Sequence, residues 1–371
     1  MEKLNVDTVI VGAGPAGSIA ALNLAPTRSV LLIDKTLKPT QRIGESLIPA
    51  ARRLLYDMGL LSEFENRNYL EYYGNQVCWG TNEIIENDFL RNIDNHGWYI
   101  DRSDFEMWLR EVASRRGARI FAPSRVISII KHDNYFLLKI LFGTQEIFVN
   151  TKTLIDAGGR TAPIARQLGA KRIRKDHLVC SWLSIKTNHQ LNRLSYIEAT
   201  PHGWWYISPI PNKRYIISFY TDADLIESSQ IRNAEYLLKN SMQLRKIKKI
   251  ITDNQFYQID QSGYTAAHSG TIEPYVGENW LATGDAALCF DPISSQGLFN
   301  AMYTGLAAAE TINHFLSGYK NSFKEYKDII LSIKRSYNIN YNFYYKTQTK
   351  WKDFNFWKRR SMDTCILKDT T

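Results

Sequence analysis

Cysteine is scarce in this chain. Four of 371 residues are cysteine, Cys78, Cys180, Cys289 and Cys365, and no two stand in a CxxC spacing. That excludes a zinc ribbon and a disulfide-stapled scaffold, and predicts reduced thiols in a cytoplasmic chain. No apolar run approaches the ~18 residues of a membrane span. The start, MEKLNVDTVIVGAG, has neither a basic n-region nor a long apolar h-region, so no secretion signal is predicted. Seven histidines are scattered, and neither HExxH nor a Ser-His-Asp order offers metal or hydrolytic chemistry. No metal site is therefore expected. No internal repeat or low-complexity linker divides the chain.

What is present is ample apolar residue, 44%, enough for two domains or one large α/β domain with an inserted subdomain. The net charge of +9 is concentrated. Residues 319–360 hold eleven Lys or Arg against three acids, a surplus of eight, interleaved with rings as in KWKDFNFWKRR. One reading is a helix whose aromatic face packs on the body and whose lysines are solvated. The other is docking to an acidic protein partner or to anionic lipid, with Lys358, Arg359 and Arg360 as docking charges. No nucleic-acid recognition motif accompanies the charge, so nucleic acid is not an expected partner.

The clearest local signal is VDTVIVGAGPAGSIAALNLA. An apolar strand, Val6 to Val11, runs into Gly12-x-Gly14-x-x-Gly17, and an alanine-rich helix follows. SVLLIDK is then a second buried strand ending in Asp34, twenty residues after Gly14. This is a βαβ unit with the dinucleotide fingerprint. The glycines tighten the turn and let backbone approach a pyrophosphate, the helix N-terminus supplies free N–H groups, and the acid bonds ribose hydroxyls.

The strand–helix alternation of a dehydrogenase does not continue. GESLIPAARRLLYDMGLLSEF reads as a loop and a helix. GWYIDRSDFEMWLREVASRRGARIF reads as a strand end, an N-cap at Ser103 and a helix. Residues 125–155 and 177–221 alternate like antiparallel strands, 229–250 read as one helix, and 297–318 and 321–349 as two long ones. The predicted fold is α/β: a Rossmann-like domain with an inserted antiparallel-sheet domain and C-terminal helices. The expected boundaries are 1–75, 98–175 and 276–318 for the first domain, 76–97 and 176–275 for the second, and 319–371 for the basic helical segment.

Four motifs stand in order: GxGxxG at 12–17, RIGES at 42–46, DRSDFEMWL at 101–109 and GDAALCFDP at 284–292. In this the chain resembles the para-hydroxybenzoate hydroxylase-like flavoproteins, which include aromatic hydroxylases, flavin-dependent halogenases and geranylgeranyl reductases. The resemblance implies a GR2-type fold and non-covalent FAD. It implies that Gly12, Gly14, Pro15, Ala16, Gly17, Asp34 and Lys35 hold the nucleotide, with Val126 beside the adenine. Arg42, Glu45, Ser46 and Arg102 would lie near the flavin and pyrophosphate. Asp156 and Gly158, in IDAGGRTAPIARQLG, match the second glycine motif. Gly284 and Asp285 match the Gly-Asp motif, with Asp285 on the ribityl hydroxyls. Pro292, Ser295, Gly297 and Leu298 would form the flavin-side loop and helix start, Pro292 and Ser295 being the candidate catalytic positions. A helix N-terminus there stabilises the negative charge of reduced flavin by about 0.3–2 kcal/mol.

Within that family, GESLIPA and DPISSQG look most like the halogenase-like subgroup. Its lysine, expected some thirty residues after Glu45, is missing: no lysine lies between Lys38 and Lys131. The glutamate of tryptophan halogenases is Ser294 here, and the Trp-x-Trp-x-Ile-Pro signature is degenerate in Trp204-Trp205-Tyr206-Ile207-Ser208-Pro209. Halogenation is therefore disfavoured. The family's default chemistry is hydroxylation of an aromatic ring through a flavin C4a-hydroperoxide, with electrons from NAD(P)H or a flavin reductase. His202, Trp204 and Trp205 are candidate substrate contacts. Trp204 and Trp205 are neighbours on a strand, so only one can line a pocket. The chain also resembles the flavoproteins that mature cysteine tryptophylquinone enzymes. That implies hydroxylation of a tryptophan in a quinoprotein oxidase precursor. Alternatives are a small-molecule aromatic hydroxylase, a geranylgeranyl-type reductase and a flavin-binding chaperone without turnover.

Overall fold

A computed structural model describes residues 3–89, 95–189 and 192–361. Cys365 lies outside them. Five parallel strands, 119–121, 30–33, 3–11, 145–156 and 280–282, lie side by side in that order. Val30–Ile33 is buried at every position, as expected of a strand covered on both faces. Ser124–Lys131 and Phe136–Phe142 extend the sheet as an antiparallel meander onto residues 145–156. Helix Pro15–Leu24 packs against Arg102–Arg115 and Gly297–Leu316. The sequence-predicted fold class, with its inserted antiparallel sheet and C-terminal helices, is the one observed.

A second sheet has seven strands in the order 258–266, 178–186, 214–222, 203–210, 194–200, 74–78, 85–88. All neighbours are antiparallel except 194–200 with 74–78. One face carries Leu183, Trp205, Ile207, Ile217 and Phe219, packed in a separate core with Leu237, Ile247 and Ile251. The other face looks toward the first sheet.

Two local expectations differ from the structure. Helix Arg102–Arg115 is capped by Asp101, not Ser103, and the Asp101 carboxylate accepts from the N–H groups of Ser103 and Asp104. One carboxylate oxygen, Oδ1, takes both orphan donors, while Oδ2 accepts from Arg214. Residues 229–250 are not one helix. They break into Ser228–Ile231, Ala234–Ser241 and Arg245–Asp253, because the Asn233 side chain caps a fresh start at Tyr236 N–H.

The C-terminal helices decide the fate of the basic segment. Ser322–Thr347 buries Tyr326, Ile330, Lys334, Tyr337, Tyr341 and Tyr345, a stripe at helical spacing. In Asn355–Ser361, Phe356, Trp357 and Arg360 are buried. Arg360 makes a two-armed ion pair with buried Asp222, and Arg359 pairs with Asp222 and Asp224. Two of the three residues read as docking charges are thus internal ties between helix and sheet. Among the described residues, no helix is long and apolar enough to cross a membrane.

Candidate active site

A cavity of about 860 Å³ lies between the two sheets. Its floor is the carboxyl ends of the parallel strands, where Val11, Ile33, Ala157 and Thr283 reach it. This is where open α/β sheets bind ligands. Its roof is the inner face of the seven-stranded sheet: Trp182, Ile197, Trp204, Tyr206, Tyr220 and Thr265.

The glycine turn shapes one end. Ala13 N–H donates to Asp34 Oδ2 at 2.7 Å, and Thr36 donates to Asp34 Oδ1 from both N–H and hydroxyl. Arg110 stands 3.4 Å from the same carboxylate and also donates to Ala13 O. Burial works to raise the Asp34 carboxyl, but the Thr36 and Ala13 hydrogen bonds and the Arg110 charge outweigh it and hold it below the usual value. Asp34 stays ionised, with Oδ2 still able to accept from a ligand hydroxyl. Arg42 and Arg102 converge nearby on buried Glu106, and Arg102 is pinned to the carbonyls of Ile43 and Gly44.

Two helix N-termini open into the cavity. Neither Pro15–Leu24 nor Gly297–Leu316 has a side-chain cap, so their first N–H groups have no partner from a capping residue. A Cβ built on Gly14 or on Gly297 would meet nothing within 4 Å. Uncapped N–H groups behind bare backbone make two anion seats. Their number and the ionised acid beside the first fit a dinucleotide with a second electron-rich end, as FAD has when its flavin is reduced.

Most sequence-predicted positions line this space: Gly12, Gly14, Pro15, Ala16, Asp34, Lys35, Arg42, Glu45, Ser46, Arg102, Val126, Gly158, Asp285, Pro292, Ser295, Gly297, Leu298 and Trp204. Five do not. Gly17 and Gly284 are packing positions behind the wall, against Gly12 and Ala16. Asp156 is fully buried and accepts from the N–H groups of Gly158, Ile164 and Ala165, so it shapes the wall from behind. His202 is exposed at a strand turn, its ring edge-on to Phe354. Trp205 points into the other core and stacks on Phe219. Strand alternation puts Trp204 on the cavity side, where it stacks on Tyr220 at 3.8 Å.

The GES loop is bolted to the roof. Ser208 donates to Glu45 Oε1 at 2.5 Å, and Ser46 and Tyr206 share a 2.8 Å hydroxyl contact. Burial, then the Glu45 charge, pushes the Tyr206 phenol well above its ordinary range, so it is a neutral hydroxyl. The sequence reading missed Arg160, which donates to the carbonyls of His268 and Phe290 and lies 3.4 Å from Asp285. It also missed Asp291. This carboxyl is buried, accepts from Ile293 N–H and from Tyr345 Oη at 2.7 Å, and belongs to a cavity-lining residue. Tyr345 in turn accepts from Trp204 Nε1 at 3.3 Å. Only the DP dipeptide hinted at it.

Burial pushes the Asp291 carboxyl up to about 7, despite the facing Arg360; Asp176 adds to the rise, while Tyr345 and Ile293 N–H oppose it. Its folded value lies above its unfolded one of about 3.8. The stability it contributes is full below pH 3.8 and lost as pH rises through about 7. Asp291→Asn removes that titration. The unfolding free energy of Asp291→Asn relative to the parent should therefore rise across this window in a urea titration series. A difference flat with pH contradicts the assignment.

Residues 5–327 match the family described as FAD binding domain. LodB of Marinomonas mediterranea, whose name places it provisionally among FAD-dependent oxidoreductases, is 26% identical over 95% of this chain and 96% of its own. The 1H-pyrrole-2-carbonyl-[peptidyl-carrier protein] brominase of Pseudoalteromonas luteoviolacea is 28% identical over 88% of this chain and 82% of its own. The solved structure of QhpG, a peptidyl tryptophan dihydroxylase essential for tryptophylquinone cofactor biogenesis, superposes with a TM-score of 0.76 at 19% identity. It covers 96% of this chain and 78% of that one.

Proposed function

The chain belongs to the FAD binding domain family, an FAD-dependent oxidoreductase of the halogenase and hydroxylase kind, and on that premise we propose that it hydroxylates an aromatic ring, a tryptophan side chain of a partner polypeptide. FAD held in this cavity would supply the two-electron chemistry by which oxygen is activated for transfer of one atom to the ring. The reaction takes up O2, two electrons and two protons, converts a ring C–H to C–OH and releases water. NAD(P)H or a flavin reductase supplies the electrons.

The observation that carries this reading is the roof. Trp182, Trp204, Tyr206 and Tyr220 on the sheet, with Phe290 from the loop before Pro292, enclose the cavity with rings that can orient an aromatic substrate and exclude water. The N-terminus of Pro15–Leu24 would hold the diphosphate, and Asp285, Arg160 and the N-terminus of Gly297–Leu316 the ribityl chain and flavin. The hydroxyl oxygens of Tyr206 and Ser46 can accept a hydrogen bond from an indole N–H. Asp291 can hold a proton at its carboxyl, within reach of Tyr345. The tryptophan is favoured as the ring because QhpG, which shares the fold, acts on peptidyl tryptophan. As a maturase, the enzyme would serve a quinoprotein oxidase precursor.

The brominase likeness raises halogenation. Among the described residues, the single lysine lining the cavity is Lys35, at the end opposite the aromatic roof, and Ser294 does not line it. The halogenase lysine and the glutamate that Ser294 replaces are therefore both missing from the cavity wall, and with them the pair that would direct an electrophilic halogen.

The test is oxygen transfer. With FAD, NADH, a flavin reductase and isotopically labelled O2, a tryptophan-bearing polypeptide should gain labelled oxygen at the tryptophan, read by mass spectrometry. With bromide present, free tryptophan and simple indoles should emerge without halogen. Efficient hydroxylation of a free small aromatic with no polypeptide present would replace this reading with a small-molecule one. An enzyme-dependent brominated product would reinstate the halogenase.

A further inference from the structure

Strand Gln258–Ala266 is an outer edge of the seven-stranded sheet and, among the described residues, pairs only with 178–186. Edge strands leave alternate N–H and C=O groups unpaired, and proteins protect them with charge, proline, bulges or short length. The first part of this strand is protected. It has a register shift, and Asp260 is tied to Lys186 and Arg214. The second part, Gln261-Ser262-Gly263-Tyr264-Thr265-Ala266, has no charge and no proline, and Gln261, Ser262 and Thr265 are exposed. The opposite edge, Ile85–Asp88, carries Glu86 and Asp88 and does not reach the cavity.

This bare edge leads into the cavity. Thr265 and Ala266 line it. Thr265 begins a cross-strand row that continues through Cys180 and Tyr220 to Trp204. Gly263 begins the next row, through Trp182 and Ser218 to Tyr206. A Cβ on Gly263 would stand 2.7 Å from the Trp182 ring, so glycine there lets a cavity-lining indole lean out to the edge.

We propose that the 261–266 edge takes an extended segment of the protein substrate as an added β-strand, which carries the target ring over Thr265 into the cavity. Main-chain hydrogen bonds give such docking its affinity, and alternate side chains point to one face of the sheet. A substrate residue facing the cavity side beside Thr265 extends the row that ends at Trp204. This deepens the proposed function and rests on it for the nature of the substrate. The occupant is a polypeptide because the vacant groups are a backbone ladder, which a small aromatic cannot match.

The probe is a synthetic peptide of alternating threonine and valine with one central tryptophan, added to the FAD-loaded full chain, with NADH, a flavin reductase and O2 supplied where oxygen transfer is read. Hydrogen exchange read by mass spectrometry should slow at 261–266. Two N-methylated forms of the peptide, each blocked along one edge, separate backbone docking from ring capture: one should bind at least about tenfold more weakly and the other nearly as well as the parent. No slowing at 261–266, or equal binding of both forms, overturns the proposal. So does a dimer whose 261–266 amides are already slow without peptide, since the edge then belongs to a second copy. Slowing at the edge with no oxygen on the peptide leaves the docking standing and refutes the hydroxylase reading. Oxygen on the tryptophan with no slowing does the reverse.

Discussion

Gly14→Val is expected to yield a folded, colourless protein, whereas Gly17→Val is expected not to fold. The two glycines belong to one fingerprint, but the structure gives them opposite surroundings. A Cβ at Gly14 meets no protein atom within 4 Å, and its φ of −75° is open to any L-residue. The added valine therefore projects into the cavity, where the diphosphate must approach backbone N–H groups. A Cβ at Gly17 would lie 1.8 Å from the carbonyl oxygen of Gly12. Strand and helix would have to separate, a cost beyond ordinary overpacking of about 1–3 kcal/mol. Absorbance of the purified protein reads flavin content, and circular dichroism with thermal melting reads folding. Stoichiometric FAD in Gly14→Val would move the cofactor elsewhere. A well-folded Gly17→Val would mean that the turn can open.

Arg360→Glu is expected to destabilise the chain by at least about 3–5 kcal/mol, the usual penalty for breaking a buried pair. Arg360 and Asp222 are each 2% exposed, and the guanidinium also lies 3.7 Å over the Phe356 ring. Reversal faces two carboxylates across a site that water does not reach. Asn355–Ser361 should detach, and with it the support of Tyr345, over whose ring Arg360 also lies. Lys358→Glu, at an exposed position of the same helix, should change stability by no more than about 0.5 kcal/mol. Chemical denaturation of the two variants decides the matter. Equal stabilities would return Arg360 to the surface and restore the docking reading of this segment.

The parts legible from sequence share one property: they are written in adjacent residues. The turn at 12–17, the strand before it and the helix behind it follow from local backbone chemistry, and so does Asp34 at the end of the next strand. The Gly284-Asp285 run at a strand end and the Pro292–Gly297 run at a helix start are equally local, and both places could be read directly. Even the choice between Trp204 and Trp205 was narrowed to one, because strand alternation is a local rule. Which of the two faced the cavity depended on what packed over each side of the sheet, and that is set by helices 234–253, far away in sequence.

Tertiary structure alone decided the contacts between distant segments. Asp291 meets Tyr345 only because helix 322–347 lies across the loop, and the same helix brings Tyr345 to Trp204. Arg160 reaches Asp285, His268 and Phe290 from a turn that shows no periodic signal. A charge cannot be classed as surface or internal from its neighbours in sequence. Lys358 is solvated while Arg360, two residues on, is sealed against Asp222, because a helix turn of 3.6 residues points them to opposite sides. Hydrogen bonding within a turn is encoded where the turn is; burial and ion pairing are properties of the packed whole, and the chain must fold before they exist.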